Sequence, residues 1–226
     1  MRIKSFLKKI ISKDKQTIQY FSQDGQDRYL DEHIFSQKKN GTFIEIGAHN
    51  GITFSNTYFF EKYRKWAGIC IEPNPEVFKQ LKSNRKAKCI NACISRNVEK
   101  VNYVKVSGYS EMLSGILEFY NDEHWNRLER ELKEHGGSKE IIKVNSFTLT
   151  EILHTSILSN KKIDFCSIDV EGAELDILRS IDFDKIDILV FAIENNYNTD
   201  DIYLFLRDKG YEKVAKVGAD EIFRKT

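Results

Sequence analysis

Apolar residues in this chain fall into short runs that alternate with segments of helical spacing. Thr42–Ile46, Trp66–Ile71, Lys88–Ile94, Lys162–Ile168 and Ile186–Ile193 are apolar and rich in β-branched residues, which predicts buried strands. Between them, Arg28–Phe35, Phe54–Tyr63, Glu76–Leu81, Thr148–Leu158, Gly172–Ile181 and Asp200–Lys209 carry apolar positions at helical intervals. Ser55 and Thr148 are placed to cap two of these helices, and Gly210 closes the last. Val101–Val106 and Ile141–Phe147 read as further strands, the first alternating as if half exposed. Tyr211–Val217 and Glu221–Arg224 predict a closing hairpin that turns at Gly218–Asp220. Strands alternating with helices predict an α/β fold: a mostly parallel sheet covered on both faces, with strand carboxyl ends along one edge.

Two junctions on that edge carry candidate chemistry. After Phe43-Ile44-Glu45-Ile46 the chain turns through Gly47-Ala48-His49-Asn50-Gly51, the strand–glycine loop–helix arrangement that brings a backbone close to a ligand. Taken alone, this loop reads equally well as an ordinary turn. Glu72 stands at the tip of the next strand, 21 positions after Gly51. An acid about 20 residues beyond a glycine loop is where dinucleotide-type folds hold a ribose, and a carboxylate offers only acceptors to its two hydroxyls. Glu45, Glu72, Asp169, Glu194 and Asn195 all fall at or near predicted strand ends and form one acidic rim. Such a rim implies a cationic or hydroxyl-rich occupant.

Composition narrows the partners. The 226 residues suit one α/β domain (19–226) preceded by a basic, partly amphipathic segment (1–18), with an irregular, charged insertion at about 107–140. The basic segment is expected to dock on the domain or to form a dimer contact; attachment to an anionic membrane surface is the other reading. A formal net charge of +1 gives no basic groove for nucleic acid, and no apolar run approaches transmembrane length. Cys70, Cys89, Cys93 and Cys166 form no metal-type spacing and read as buried, reduced thiols, which fits a cytoplasmic protein.

Four motifs in order resemble the FkbM family of S-adenosylmethionine-dependent methyltransferases. They are Ser22-Gln23-Asp24-Gly25-Gln26-Asp27, Phe43 to Gly51, Ile71-Glu72-Pro73-Asn74-Pro75, and Ile168-Asp169-Val170-Glu171-Gly172-Ala173-Glu174. The resemblance implies a Rossmann-like class I methyltransferase fold, a seven-stranded, mostly parallel sheet ending in an antiparallel hairpin. It implies S-adenosylmethionine as cofactor, with Glu45, Gly47 and Gly51 framing its amino-acid end and Ser55 among the cofactor-binding residues. Glu72 and Asn74 would hold the ribose, and the Asn91–Ser95 run would border the adenine, with Ser95 closing it. Gln23 and Gln26 would lie in a segment that closes over the site. The family pattern has a further glycine where this chain has His49-Asn50, which frees His49 to face the acceptor.

The implied reaction is methyl transfer to a hydroxyl of a sugar, a surface-glycan precursor or a secondary metabolite, with Asp169, Glu171 and His49 as catalytic candidates. Asp169, Glu194 and Asn195 resemble the acid, acid and amide set of metal-dependent O-methyltransferases, so Mg²⁺ enters as an expectation. Two rivals stand beside this reading. One is an NAD-dependent oxidoreductase or epimerase, which lacks here a clear GxGxxG and a Tyr-x-x-x-Lys. The other is a non-catalytic subunit of the same fold.

Overall fold

The computed structural model describes residues 18–159 and 161–226. The basic segment up to residue 17, and the dimer contact expected of it, lie outside the described residues. In chain order the elements are α1 (Gln26–Tyr29, continuing into a wider π-helical turn over Leu30–Ile34), β1 (Thr42–Ile46), α2 (Tyr58–Arg64), β2 (Ala67–Ile71), α3 (Pro75–Asn84) and β3 (Lys88–Ile90). Next come β4 (Cys93–Ile94), β5 (Glu99–Ser107), β6 (Gly115–Ile116), α4 (Asp122–His135), β7 (Ser138–Phe147) and α5 (Leu149–His154). The chain closes with β8 (Ile163–Ile168), α6 (Glu174–Arg179), β9 (Ile188–Glu194), α7 (Asp201–Asp208), β10 (Tyr211–Val217) and β11 (Asp220–Lys225).

The main sheet has seven strands in the order β10-β11-β9-β8-β1-β2-β3. β3, β2, β1, β8 and β9 run parallel, and the expected hairpin β10–β11 adds antiparallel to β9. The strand order reverses beside β1, which opens a crevice at the carboxyl ends of β1 and β8. Because successive side chains alternate faces, β1 sends Ile44 and Ile46 into one apolar cluster and Phe43 into the other. The second cluster is aromatic: Phe35, Phe60, Trp66 and Phe165 meet edge-on or tilted beneath α1 and α2.

Three local expectations change. The helix expected from Phe54 begins at Tyr58: Asn50 Oδ1 accepts from Ile52 N and Thr53 N, holding a tight turn, and Phe54 adopts a positive φ of 58°. The helix N-cap is Thr57, and Ser55 Oγ accepts from Tyr58 N at 2.9 Å. The run Lys88–Ile94 is divided. Asn91 donates to Glu72 O and Pro73 O, and after it the chain leaves the main sheet. β4, β7, β5 and β6 then form a separate four-stranded sheet. The ordered addition therefore spans 93–147 rather than 107–140. It is tied to the main domain by Lys105, whose Nζ reaches Glu76 at 2.8 Å.

Candidate functional site

The glycine loop is pinned from both sides. Gly47 N and Ala48 N both donate to Ile71 O, at 3.1 and 3.0 Å. Gly47 takes a φ of +82°, and a Cβ there would stand 1.8 Å from Asp169 O. Only glycine lets β1 and β8 approach this closely. Past the loop, Glu72 Oε2 accepts from His49 N at 2.9 Å and Oε1 from Asn74 N at 2.7 Å. The carboxylate is thus held rigidly, and each oxygen keeps a free lone pair. Asn74 in turn caps α3, its Oδ1 accepting from Glu76 N.

A cavity of about 260 Å³ opens over these groups. On one side of Glu72 it is walled by Ala92, Cys93, Ile94 and Tyr103. On the other it passes Gly47 towards Gln23, Ser55, Asn56 and Ser167. Its far end is lined by Asp169, Glu171, Glu194 and Arg127. His49 lines the wall, its Nε2 3.0 Å from Glu111 Oε1, and so latches the loop to the added sheet.

Several expected site residues turn out otherwise. Glu45 lines the cavity, yet its carboxylate is already engaged: Oε1 accepts from Ser55 at 2.7 Å, and Oε2 from Thr57 at 2.7 Å and Arg85 at 2.8 Å. The rim is therefore not uniformly unpaired. Gly51 faces away from the cavity; a Cβ there would stand 2.7 Å from Leu81 and Arg85 side-chain atoms, so its glycine is a packing requirement. Ser95 is fully buried and donates to Asp176 at 2.8 Å, while its neighbours Ala92–Ile94 supply the wall. Gln26 is buried behind Gln23, its Oε1 accepting from Asp24 N, and it does not line the cavity.

The residues expected to hold a metal are not presented together. Asn195 closes its own loop, with Nδ2 donating to Thr199 O at 2.9 Å and Oδ1 accepting from Thr199 N at 3.2 Å. It is buried, and Asn196, not Asn195, reaches the cavity. Among the described residues no group of three or more His, Cys, Asp or Glu side chains stands ready for a metal. Asp169 and Glu194 line the cavity without Asn195, and nothing in this arrangement supports Mg²⁺.

The far end holds a proton-rich acidic cluster. Asp169 follows β8 and is exposed at the cavity. Burial, then the carboxylates of Glu194, Asp220 and Glu171, push its carboxyl well above the usual range. Glu194 is raised as well, to about 8, chiefly by burial and then by the neighbouring Glu171, Glu174 and Asp220 carboxylates. Burial likewise lifts Glu174 to about 8, Glu72 to about 7 and Asp220 to about 6. His124, expected at the surface or internally satisfied, is buried behind Glu171. Its Nε2 is 3.0 Å from Leu113 O and its Nδ1 3.2 Å from Glu171 Oε2. Both neighbours offer oxygen acceptors to the ring.

These carboxyls bind protons more tightly in the folded chain than in the unfolded one, where they titrate near 4. The stability they contribute is complete below about pH 4 and is lost as pH rises to about 8. Thermal melting of the ligand-free protein should therefore fall by roughly 5–10 °C between about pH 5.5 and 8.5. A midpoint that is flat or rises over that range would contradict the burial of the cluster.

Arg85, Asn56, Glu111 and Arg127 escaped sequence reasoning. Each lies in a loop or charged helical stretch without motif character, and only long-range packing brings it to the site. Burial of Arg85, whose side chain is fully inaccessible, left no local sign in a Lys- and Arg-rich segment.

The strand order, the glycine loop and the acid at the tip of β2 define a class I methyltransferase fold. The chain belongs to the FkbM methyltransferase family: the model described as "Methyltransferase FkbM domain" matches residues 45–213. Among solved structures it is similar to the methyltransferase FkbM from Methylobacillus flagellatus KT, with a TM-score of 0.51 and 11% identity over 90% of this chain and 48% of that one. The chain thus spans about half the length of that relative. It is also similar to a methyltransferase from Pyrococcus furiosus, with a TM-score of 0.43 and 14% identity over 98% of this chain and 95% of that one. The N-terminal domain of human METTL16 in complex with SAH gives a TM-score of 0.41 and 12% identity over 88% of this chain and 65% of that one. No curated protein sequence matches the chain. No helix among the described residues is long and apolar enough to cross a membrane.

Proposed function

We propose that this chain transfers a methyl group from S-adenosylmethionine to a hydroxyl oxygen of a small, hydroxyl-rich acceptor such as a sugar, a glycan precursor or a secondary metabolite. The observation that carries the reading is the Glu72 carboxylate, clamped by His49 N and Asn74 N with open acceptor sites at the wall of the cavity. Two hydroxyls of a ribose match it. The apolar wall of Ala92–Ile94 then suits the adenine, and the polar passage beyond Gly47 suits the amino-acid tail. The bound donor supplies an electrophilic methyl group on a sulfonium.

The chain's own residues do the rest. Glu171 lies at the acceptor end, where its carboxylate can take the proton from the acceptor hydroxyl, with His124 behind it to balance charge. Asp169 and Glu194, both raised in pKa, line the same end and can orient the acceptor by hydrogen bonds. Because both carboxyls hold their protons more tightly than usual, the site is less negative than its composition suggests, which suits a reaction that discharges a cation. Arg127 adds a positive group at the same end.

Calorimetric titration with S-adenosylhomocysteine, with NAD⁺ as control and with EDTA present throughout, tests the reading. Micromolar binding of S-adenosylhomocysteine alone is expected, followed by methylation in a screen of sugars and glycan precursors. Binding of NAD⁺ in its place would overturn it.

A further inference from the structure

α4 turns one stripe of side chains inward. His124, Arg127, Leu128 and Glu131 stand three and four residues apart and so share a face of the helix. His124 is buried against Glu171, and Leu128 is buried with Val104, Val106 and Leu113. Arg127 lies between them and lines the cavity. Among the described residues that do so, it is the only Lys or Arg. Its Nε donates to Glu131 Oε1 at 3.0 Å, which fixes one edge of the guanidinium. No described residue accepts a hydrogen bond from Nη1 or Nη2, and the side chain is 46% exposed, so a ligand can reach them.

We propose that the acceptor carries an oxyanion, a carboxylate or a phosphoryl group, beside the hydroxyl that is methylated, and that Arg127 receives it through Nη1 and Nη2. The inference rests on the functional reading above and narrows its acceptor to an acidic one. The Nη1–Nη2 edge of a guanidinium presents two N–H groups at the spacing of two oxygens on a carboxylate or phosphate. Arg127 also feels the charges of Glu171 and Glu194, which places it beside the groups assigned to the acceptor hydroxyl. Those acids leave it available. Neither bonds the guanidinium, and Glu194, raised to about 8, is largely neutral near pH 7.

The test uses the full chain saturated with S-adenosylhomocysteine and titrates it, by NMR, with D-glucose, D-glucuronate and D-glucose 6-phosphate. At least one acidic sugar should bind about 10-fold or more tightly than D-glucose, as hydrogen bonds to a charged group predict. Tighter binding of D-glucuronate marks a carboxylate, and of D-glucose 6-phosphate a phosphoryl group. Arg127→Gln should cut the preference to less than about 2-fold while S-adenosylhomocysteine, held at the other end of the cavity, stays within about 2-fold of wild type. Should thermal melting show that Arg127→Gln does not fold, Arg127→Lys keeps the charge and loses the fork. Its preference should be about 3-fold or more below that of the wild type, and an undiminished one would refute the assignment. Equal binding of all three sugars, or of none, would leave Arg127 merely balancing Glu171 and Glu194 and overturn the proposal. An acidic preference that survives Arg127→Gln would overturn it too. A wild type that does not bind S-adenosylhomocysteine would remove the functional reading itself. One that binds it but is indifferent to the charge of the sugar would remove only this inference.

Discussion

Glu72→Gln is expected to weaken S-adenosylhomocysteine roughly 30- to 100-fold while leaving the fold intact. The carboxylate stands at the tip of β2 with open acceptors, and it is set in place by His49 N and Asn74 N. Two hydroxyl bonds to a charged acceptor contribute about 1.5 kcal/mol each or more, and an amide offers one acceptor where the carboxylate offers two. Glutamine keeps the volume of the side chain and one of its oxygens, so it can still receive a backbone N–H and stay in place. Burial raises Glu72 to about 7, so affinity in the wild type should also climb as pH rises from about 6 to 8 and the carboxylate forms. The variant should lose that dependence. Calorimetric titration of both proteins across this range checks both expectations, and wild-type affinity in the variant would show that the ribose lies elsewhere.

Arg85→Met should lower the melting temperature by roughly 6–20 °C, which corresponds to about 3–5 kcal/mol for breaking a buried ion pair on one side. Arg85 enters the interior beneath the glycine loop. Its Nη1 donates to Glu45 at 2.8 Å and to Gly51 O at 3.1 Å, its Nη2 to Thr57 at 2.8 Å, and its Nε reaches Glu61 at 3.3 Å. The guanidinium also lies over the Phe43 and Tyr58 rings, 5.2 and 5.5 Å from their centroids. Methionine fills much of the space but leaves the Glu45 carboxylate buried without its cation. The loss should exceed that of removing an exposed pair such as Arg28–Glu32, which is worth a few tenths of a kcal/mol. Adding the Glu45→Gln change should restore part of the lost stability, because it removes the stranded charge. A melting temperature within about 2 °C of wild type for Arg85→Met would show that the network contributes nothing.

The alternation of apolar runs and helical segments was sufficient for the main sheet, because a parallel strand buried on both faces must be apolar along its whole length. The same logic placed the glycine loop and Glu72, since both are local events at the end of a strand. The added sheet was less legible. β5 and β7 pair over nine positions from Glu99↔Ser146 to Ser107↔Ser138, yet all their charged residues except the buried Lys105 are exposed and dilute the pattern. The run Lys88–Ile94 looked continuous because a strand that switches sheets keeps its apolar character on both sides of the switch.

What the sequence determined by itself was the order of elements, the acid at the tip of β2 and the family, all of which rest on contiguous residues. What only the tertiary structure decided was the state of each polar group. Glu45 is neutralised from Arg85, 40 residues away, Asn195 is spent on its own loop, and Asn56 is turned by Asp220, 164 residues away. A charge or a lone pair is used up by whatever packs beside it, and that neighbour is set by the closing of the sheet rather than by the spacing of residues along the chain.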